Sequence, residues 1–243
     1  MTKPTIAFFS TCHSDDYDFI LGSIEHHAEM GFHLVLDTSS PEKAEQFKRL
    51  PDTVRWVHEP LYGSGWKAFK MRTAVERAMM LARQFYTNIL VSVDSDEFYS
   101  RDSVERLFPH AVENVVSVHC THWKADGFPY MFGESEWHPR LWPAWCDVAI
   151  APNVDWTKHA SYNGNPEQHP VPVAPPGSSE IRVPGSFHHH LHYAFGPKVL
   201  EEEAAKSTIA GWPDKGVRIP PVDWPVKIRT WKTQGIRPSE YYR

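Results

Sequence analysis

The sequence predicts an α/β fold in which helices flank a mixed, mostly parallel sheet. Three observations carry this prediction. Short apolar runs alternate with helical patterns over the first 120 residues, the chain has 243 residues, and 41% of them are hydrophobic while 23% are charged. Strand–helix alternation is typical of parallel sheets because each crossover helix packs on a sheet face. We expect a single domain spanning residues 1–243, with a loop-rich second half.

The elements of the first half follow from the spacing of apolar residues. Strands are predicted at residues 6–9, 32–36, 54–57, 88–93 and 115–119. Helices are predicted at residues 17–30, 41–50 and 66–85, where apolar side chains recur at helical spacing.

Proline and tryptophan are concentrated in the second half. Sixteen of the 21 prolines and eight of the 10 tryptophans lie at or after Trp123. Segments such as 137–143 and 170–176 are therefore predicted to be long ordered loops. A strand-like segment at 186–195 and a helix at 198–207 are predicted among them.

Charge and cysteine content exclude several classes of protein. The net charge of −5 argues against a nonspecific coat on nucleic acid. The three cysteines, Cys12, Cys120 and Cys146, are widely spaced and form no CxxC pair, which predicts reduced thiols. No apolar run reaches the roughly 18 residues of a membrane span. A cytoplasmic protein without a transmembrane segment is expected.

Two acids follow the predicted strand at residues 88–93. Side chains alternate along extended backbone, so Asp94 and Asp96 can face the same crevice at the carboxyl end of that strand. Carboxylates so close together favour a hard cation, Mn²⁺ or Mg²⁺. The alternatives are a polar turn, with Glu97 capping the next helix, and an aspartyl phosphatase motif.

Four histidines lie close together near residue 190. On a strand, His188, His190 and His192 share one face and His189 takes the other. Three imidazoles on one face could form a zinc site, or one of them could complete a metal site begun by Asp96. Packing roles are the alternative for some of them.

The first 120 residues resemble the nucleotide-binding half of GT-A fold glycosyltransferases, closest to glycosyltransferase family 2. The motifs that carry the resemblance are the strand at 6–11, Asp37-Thr38-Ser39-Ser40, Lys70-x-Arg72 and Asp94-Ser95-Asp96-Glu97-Phe98. It implies a GT-A-like, Rossmann-like domain in which residues 1–120 bind a nucleotide sugar. Residues 121–243 would then bind the acceptor.

The resemblance also implies roles for single residues. Thr11 and Asp37 would border the nucleobase, and Asp94 would reach the ribose. Lys70 and Arg72 would contact the nucleotide. Asp96 would bind the metal that holds the diphosphate. A late histidine would complete that site, with His190 preferred to His188 and then His192.

The resemblance also raises the question of a catalytic base. An inverting transferase needs a carboxylate to accept the proton of the acceptor hydroxyl. Glu136, and next to it Glu134, lie beside Trp137, a suitable floor for an acceptor. Relatives often carry an acid directly after a histidine where this sequence has His159-Ala160, and a retaining enzyme would need no such base.

The sequence therefore predicts a metal-dependent glycosyltransferase that moves a sugar from a nucleotide donor, a UDP-sugar above all, to an acceptor hydroxyl. The acceptor expected first is a glycan or lipid-linked sugar. A hydroxymethylated base in DNA is a minor option, suggested by the basic aromatic segment at 214–243. The rival functions are a metal-dependent phosphohydrolase and a non-catalytic carbohydrate- or zinc-binding protein.

Overall fold

The computed structural model describes residues 5–12, 17–37, 52–59, 77–85, 87–94, 96–124, 128–131, 137–146, 149–150, 172–173, 177–191 and 217–218. In chain order the elements are β1 (Ile6–Cys12), α1 (Tyr17–Ala28), β2 (Phe32–Asp37), β3 (Val54–His58), a 3-10 helix (Arg83–Phe85) after helical residues 77–82, β4 (Ile89–Ser92), β5 (Glu97–Tyr99), α2 (Arg101–Ala111), β6 (Val115–Trp123), β7 (Pro129–Met131), β8 (Trp137–Pro143), β9 (Ala149–Ile150), β10 (Pro172–Val173), β11 (Glu180–His190) and β12 (Val217–Arg218).

The first four strands form a parallel sheet in the order β3-β2-β1-β4. The chain moves outward from β1 to β3 and then returns to place β4 on the other side of β1. The strand order therefore reverses between β1 and β4, and in open α/β sheets ligands bind at such a switch point, beyond the carboxyl ends of the strands. The predicted α/β fold with a mixed sheet is confirmed.

Most of the described strands of the second half extend this sheet. Strand β8 lies antiparallel between β4 and β6, and β11 runs parallel to β6 on one side and antiparallel to β5 on the other. A second, two-stranded sheet pairs β9 with β10. Strand β11 begins before the predicted segment at 186–195. Its last residues pair with β5, the strand that directly follows Asp94 and Asp96.

The expectation that residues 137–143 form a loop is wrong. They form β8, whose last five residues are buried. Pro139 lies where the register between β6 and β8 shifts, between Val116 and Ser117, and Pro143 ends the strand. Proline is tolerated at bulges and strand ends because no ladder hydrogen bond is lost there.

Apolar side chains cover both faces of the sheet. One cluster is centred on Phe8, Val91 and Val118 and packs against α2, and the other contains Phe9, Leu90 and Trp142. Trp123 is also fully buried, so this tryptophan and Trp142 are core residues. Trp145 is 69% exposed.

Helix α1 is anchored to β5 by two adjacent histidines in its last turn. His27 Nδ1 donates to the Ser23 carbonyl (2.8 Å), and its Nε2 accepts from the Tyr99 backbone N–H (3.1 Å). His26 Nε2 donates to the Tyr99 carbonyl. Both backbone groups of Tyr99 are thereby bonded on the side of β5 that faces away from β11.

The predicted helices at 41–50 and 198–207 lie outside the described residues, as does most of the one at 66–85. Among the described residues, no helix is both long enough and apolar enough to cross a membrane.

Candidate functional site

Polar residues meet at the carboxyl ends of the parallel strands. In register, Cys12 of β1 lies beside Asp37 of β2, and Thr11 lies one residue before. Asp37 is fully buried, whereas Thr11 is partly exposed. Asp94 follows β4, the neighbour of β1 on the other side. The structure thus places three of the residues predicted to contact a nucleotide at one edge of the sheet.

The acidic turn after β4 is held by the side chain of Glu97. The Glu97 N–H donates to the Asp94 carbonyl (3.0 Å), and Glu97 Oε2 accepts from the Asp94 N–H (3.1 Å). Glu97 is 3% exposed and begins β5, so it does not cap a helix. The two bonds close the turn and fix where Asp94 and Asp96 leave the sheet.

Arg140, which lies on β8, forms ion pairs with the carboxylates of Asp94 and Glu97. Its Nη2 donates to Glu97 Oε1 at 2.7 Å and to Asp94 Oδ2 at 3.1 Å, and Arg140 is 8% exposed. Burial opposes the charge of this guanidinium, but Glu97 and Asp94 outweigh burial and raise the pKa of Arg140. Arg140 stands at the register shift of β8, and such bulges redirect a side chain toward a site.

Asp94 titrates closer to neutrality than an ordinary carboxyl group. Lost hydration, followed by the charge of Glu97, raises the pKa of Asp94 to about 6, while Arg140 opposes the rise. Solvent still reaches 57% of the Asp94 side chain, so water attenuates these effects.

His190 meets Asp96 across 94 positions of sequence. The pairing of β11 with β5 sets His190 opposite Glu97, and the Leu191 N–H donates to the Asp96 carbonyl at 2.9 Å. His190 Nε2 then donates to Asp96 Oδ2 at 3.0 Å. Burial lowers the pKa of His190, but the charge and hydrogen bond of Asp96 outweigh burial and raise the pKa to about 9. The two side chains form an ion pair with about a fifth of their surface exposed.

A chain of hydrogen bonds leads from this pair into the sheet. His190 Nδ1 and His122 Nδ1 are 3.0 Å apart, and His122 Nε2 is 3.6 Å from Cys120 Sγ. With His190 protonated, each ring has a proton to donate to the next group along the chain. The carboxylate of Asp96 is thus connected through two imidazoles to a buried thiol.

Cys120 is surrounded by imidazoles on this sheet face. Its Sγ lies within 4.8 Å of ring nitrogens of His122 and His190 and, in a second group of three, within 4.8 Å of ring nitrogens of His138 and His188. The parallel pairing of β6 with β11 puts His188 beside Cys120 and His190 beside His122.

His188 is completely buried at the centre of the site. Its Nε2 lies 3.3 Å from Glu97 Oε1, but neither ring nitrogen makes a hydrogen bond within the described part of the chain. Burial, with the nearby Arg140 guanidinium, holds the pKa of His188 well below its usual range. The ring is therefore a neutral imidazole with an available lone pair.

His189 belongs to the opposite face of β11. Its Nδ1 is 2.8 Å from Thr121 Oγ1, its ring stacks on Phe98 with centroids 4.9 Å apart, and burial lowers its pKa to about 3. This histidine is a packing residue.

The predicted residues divide into two groups. Thr11, Asp37, Asp94, Asp96, His188 and His190 lie at or near the carboxyl end of the sheet. The residues outside the described part of the chain are Lys70, Arg72, Glu134, Glu136 and His192.

Four residues of the site were not predicted from the sequence: Glu97 as the clamp of the turn, Arg140, Cys120 and His122. A signal for two of them exists in the run His119-Cys120-Thr121-His122, whose alternation puts Cys120 and His122 on one face of a strand. Arg140 has no comparable signal because its direction depends on the register shift.

Comparison with known proteins identifies no family. No family model matches the chain, and no curated protein matches it. Among solved structures, mannose-1-phosphate geranyltransferase from Thermus thermophilus aligns with 49% of this chain at 14% identity and a TM-score of 0.36. The alignment spans 42% of that enzyme's length. A likeness at this level carries no functional conclusion for the present chain.

Proposed function

We propose that this chain is a metal-dependent glycosyltransferase that transfers a sugar from a UDP-linked donor to an acceptor hydroxyl. The observation that carries the proposal is the contact between His190 Nε2 and Asp96 Oδ2, 3.0 Å long, at the carboxyl end of the sheet. A histidine from a distant strand and an acid of the turn after β4 are brought together at the place where an α/β sheet binds its ligands.

The donor set suits Mn²⁺ or Mg²⁺. Asp96 offers a carboxylate oxygen and His190 an imidazole nitrogen, and both side chains reach solvent. Imidazole beside carboxylate suits Mn²⁺ better than Mg²⁺, which prefers oxygen ligands alone. A bound divalent cation would neutralise the diphosphate of the donor and the charge that develops on it as it leaves.

The protein's own residues would orient the donor around that diphosphate. Asp37 ends β2 and Thr11 lies near the end of β1, so both can border the nucleobase, while Asp94 follows β4 and can accept from the ribose. Glu97 and Arg140 would hold the turn in place without touching the donor. The half beyond residue 120 would bind the acceptor, with Glu136 or Glu134 as the catalytic base. Lys70 and Arg72, in the first half, would contact the nucleotide.

The test is a thermal-shift titration with UDP in the presence and absence of Mn²⁺. Ligand at about 100 times its dissociation constant stabilises the folded state by about 2.7 kcal/mol, which raises Tm by roughly 5–10 °C in a chain of this size. We expect this shift for the wild-type protein only when Mn²⁺ and UDP are both present, and we expect Asp96→Asn to abolish it.

The matched control is Asp102→Asn, the same substitution at an exposed acid in the first turn of α2. It should keep the full shift.

Absence of any nucleotide-dependent shift in the wild-type protein would refute the proposal. Release of inorganic phosphate from simple esters would then point to a phosphohydrolase. With donor binding established, release of UDP in the presence of candidate glycans, lipid-linked sugars or hydroxymethylated DNA identifies the acceptor.

A further inference from the structure

We propose that Cys120, His138 and His188 form a zinc site inside the sheet, separate from the cation site at Asp96 and His190. The three residues come from the adjoining strands β6, β8 and β11, and one ligand atom from each lies within 4.8 Å of the other two. Thiolate sulfur and imidazole nitrogen are ligand atoms that proteins use for Zn²⁺, and with three protein ligands a water would take the fourth tetrahedral position.

The state of His188 points to a ligand. The ring is 0% exposed, and both of its nitrogens lack a hydrogen bond within the described residues. Buried polar groups in folded proteins nearly always have a partner, and an unmet one needs an explanation such as a bound ion. The neighbouring His138 ring lies 5.5 Å from it, centroid to centroid, and Cys120 Sγ borders both.

The alternative group of three, Cys120 with His122 and His190, is already committed to other contacts. His190 uses Nε2 for Asp96 and Nδ1 for His122. His122 in turn directs Nε2 toward Cys120 Sγ at 3.6 Å. In the proposed site this N–H would donate to the zinc-bound thiolate, as the outer partners of metal ligands commonly do. The thiol proton of Cys120 would leave to solvent when zinc binds.

The occupied site would join β6, β8 and β11 at one point. Because His188 and His190 are two residues apart on β11, zinc would fix the strand segment that presents His190 to Asp96. The zinc would therefore hold these three strands together, and the proposal does not depend on the activity proposed above.

Cobalt substitution in the full-length protein tests the site directly. Co²⁺ bound by a thiolate gives a near-ultraviolet charge-transfer band, and tetrahedral Co²⁺ gives intense visible bands. We expect one equivalent of Co²⁺ to produce both in wild-type protein freed of metal by chelation, and one equivalent of Zn²⁺ to remove them. Absence of the charge-transfer band in the wild-type protein would overturn the proposal without any variant.

Variants then locate the ligands. Cys120→Ser should lose the charge-transfer band, whereas Cys146→Ser, a buried cysteine elsewhere, should keep it. His138→Gln and His188→Gln should each weaken Zn²⁺ binding by at least about tenfold, the effect of losing even an outer partner. Asp96→Asn should leave the band unchanged. Loss of the band in His190→Gln, with both His138→Gln and His188→Gln unaffected, would refute this choice of ligands.

Discussion

Removing the guanidinium of Arg140 is expected to destabilise the protein more than removing any surface arginine. Its Nη2 serves both Glu97 and Asp94, and the two acids differ in exposure: 4% of the Glu97 side chain reaches solvent, against 57% for Asp94. The substitution Arg140→Met keeps most of the side-chain volume and deletes the charge, so its main effect falls on the buried carboxylate.

The magnitude follows from these exposures. Leaving one member of a buried ion pair without its partner costs about 3–5 kcal/mol, because its charge is no longer compensated. The exposed contact to Asp94 adds about 0–1 kcal/mol at most. We therefore expect the free energy of unfolding of Arg140→Met to fall by about 3–6 kcal/mol. Arg77→Met is the control, since Arg77 pairs with Glu59 at 2.8 Å while both side chains remain partly exposed, and it should lower the stability far less than Arg140→Met does.

Urea denaturation followed by circular dichroism measures both changes at neutral pH. A second substitution tests whether the uncompensated charge of Glu97 causes the loss. Adding Glu97→Gln to Arg140→Met removes that charge and should restore part of the lost stability. The reasoning is refuted if the double variant is less stable than the single one, or if Arg140→Met and Arg77→Met cost the same.

Three further predictions concern the fold. Burial lowers the pKa of His33 to about 3, so its contribution to stability is present above its unfolded pKa of about 6.5 and is lost as the pH falls toward 3. Between about pH 7.5 and about pH 5 the wild-type protein should lose about 2 kcal/mol through this group, measured by denaturation at each pH. Gly185 has φ of 74° and its carbonyl accepts from Arg106, so Gly185→Ala should cost about 1–2 kcal/mol in urea denaturation. Trp142→Ala should cost about 3–5 kcal/mol, and Trp145→Ala, at an exposed position, less than about 0.5 kcal/mol by the same measurement.

Each of these has a result that would contradict it. If His33→Gln loses as much stability on acidification as the wild-type protein, the buried imidazole is not the cause. A Gly185→Ala variant of wild-type stability would mean that the backbone relaxes out of the left-handed region. Equal losses for the two tryptophan variants would contradict the burial difference between them.

Strands β1 and β2 and helix α1 could be predicted because their signals are local: each strand contains a short, mostly apolar run, and the helix shows helical spacing. Helix α2 (Arg101–Ala111) was not predicted. That one of the clustered histidines meets Asp96 could be proposed from chemistry, because both residue types bind metals and the acid follows a strand, whereas the choice of His190 came from the resemblance to GT-A fold glycosyltransferases.

Contacts that depend on register could not be predicted. The direction of Arg140 is set by a shift between β6 and β8, and the proline-rich sequence of β8 hides the strand. Likewise the position of Cys120 among four imidazoles requires β11 to lie beside β6, a pairing of residues about 70 positions apart that no local pattern encodes.

The two histidines that bind Tyr99 have a consequence for self-association. Strand β5 ends the sheet on this side within the described residues, and an uncovered strand edge recruits strands of other molecules. His26 and His27 occupy the N–H and carbonyl of Tyr99 that another chain would need. Burial lowers the pKa of both rings, so neutral His27 can keep accepting from that N–H at physiological pH. A protonated His27 ring has no lone pair to accept from the Tyr99 N–H. Strong acid would therefore break this hydrogen bond, expose the edge of β5 and favour aggregation through that strand.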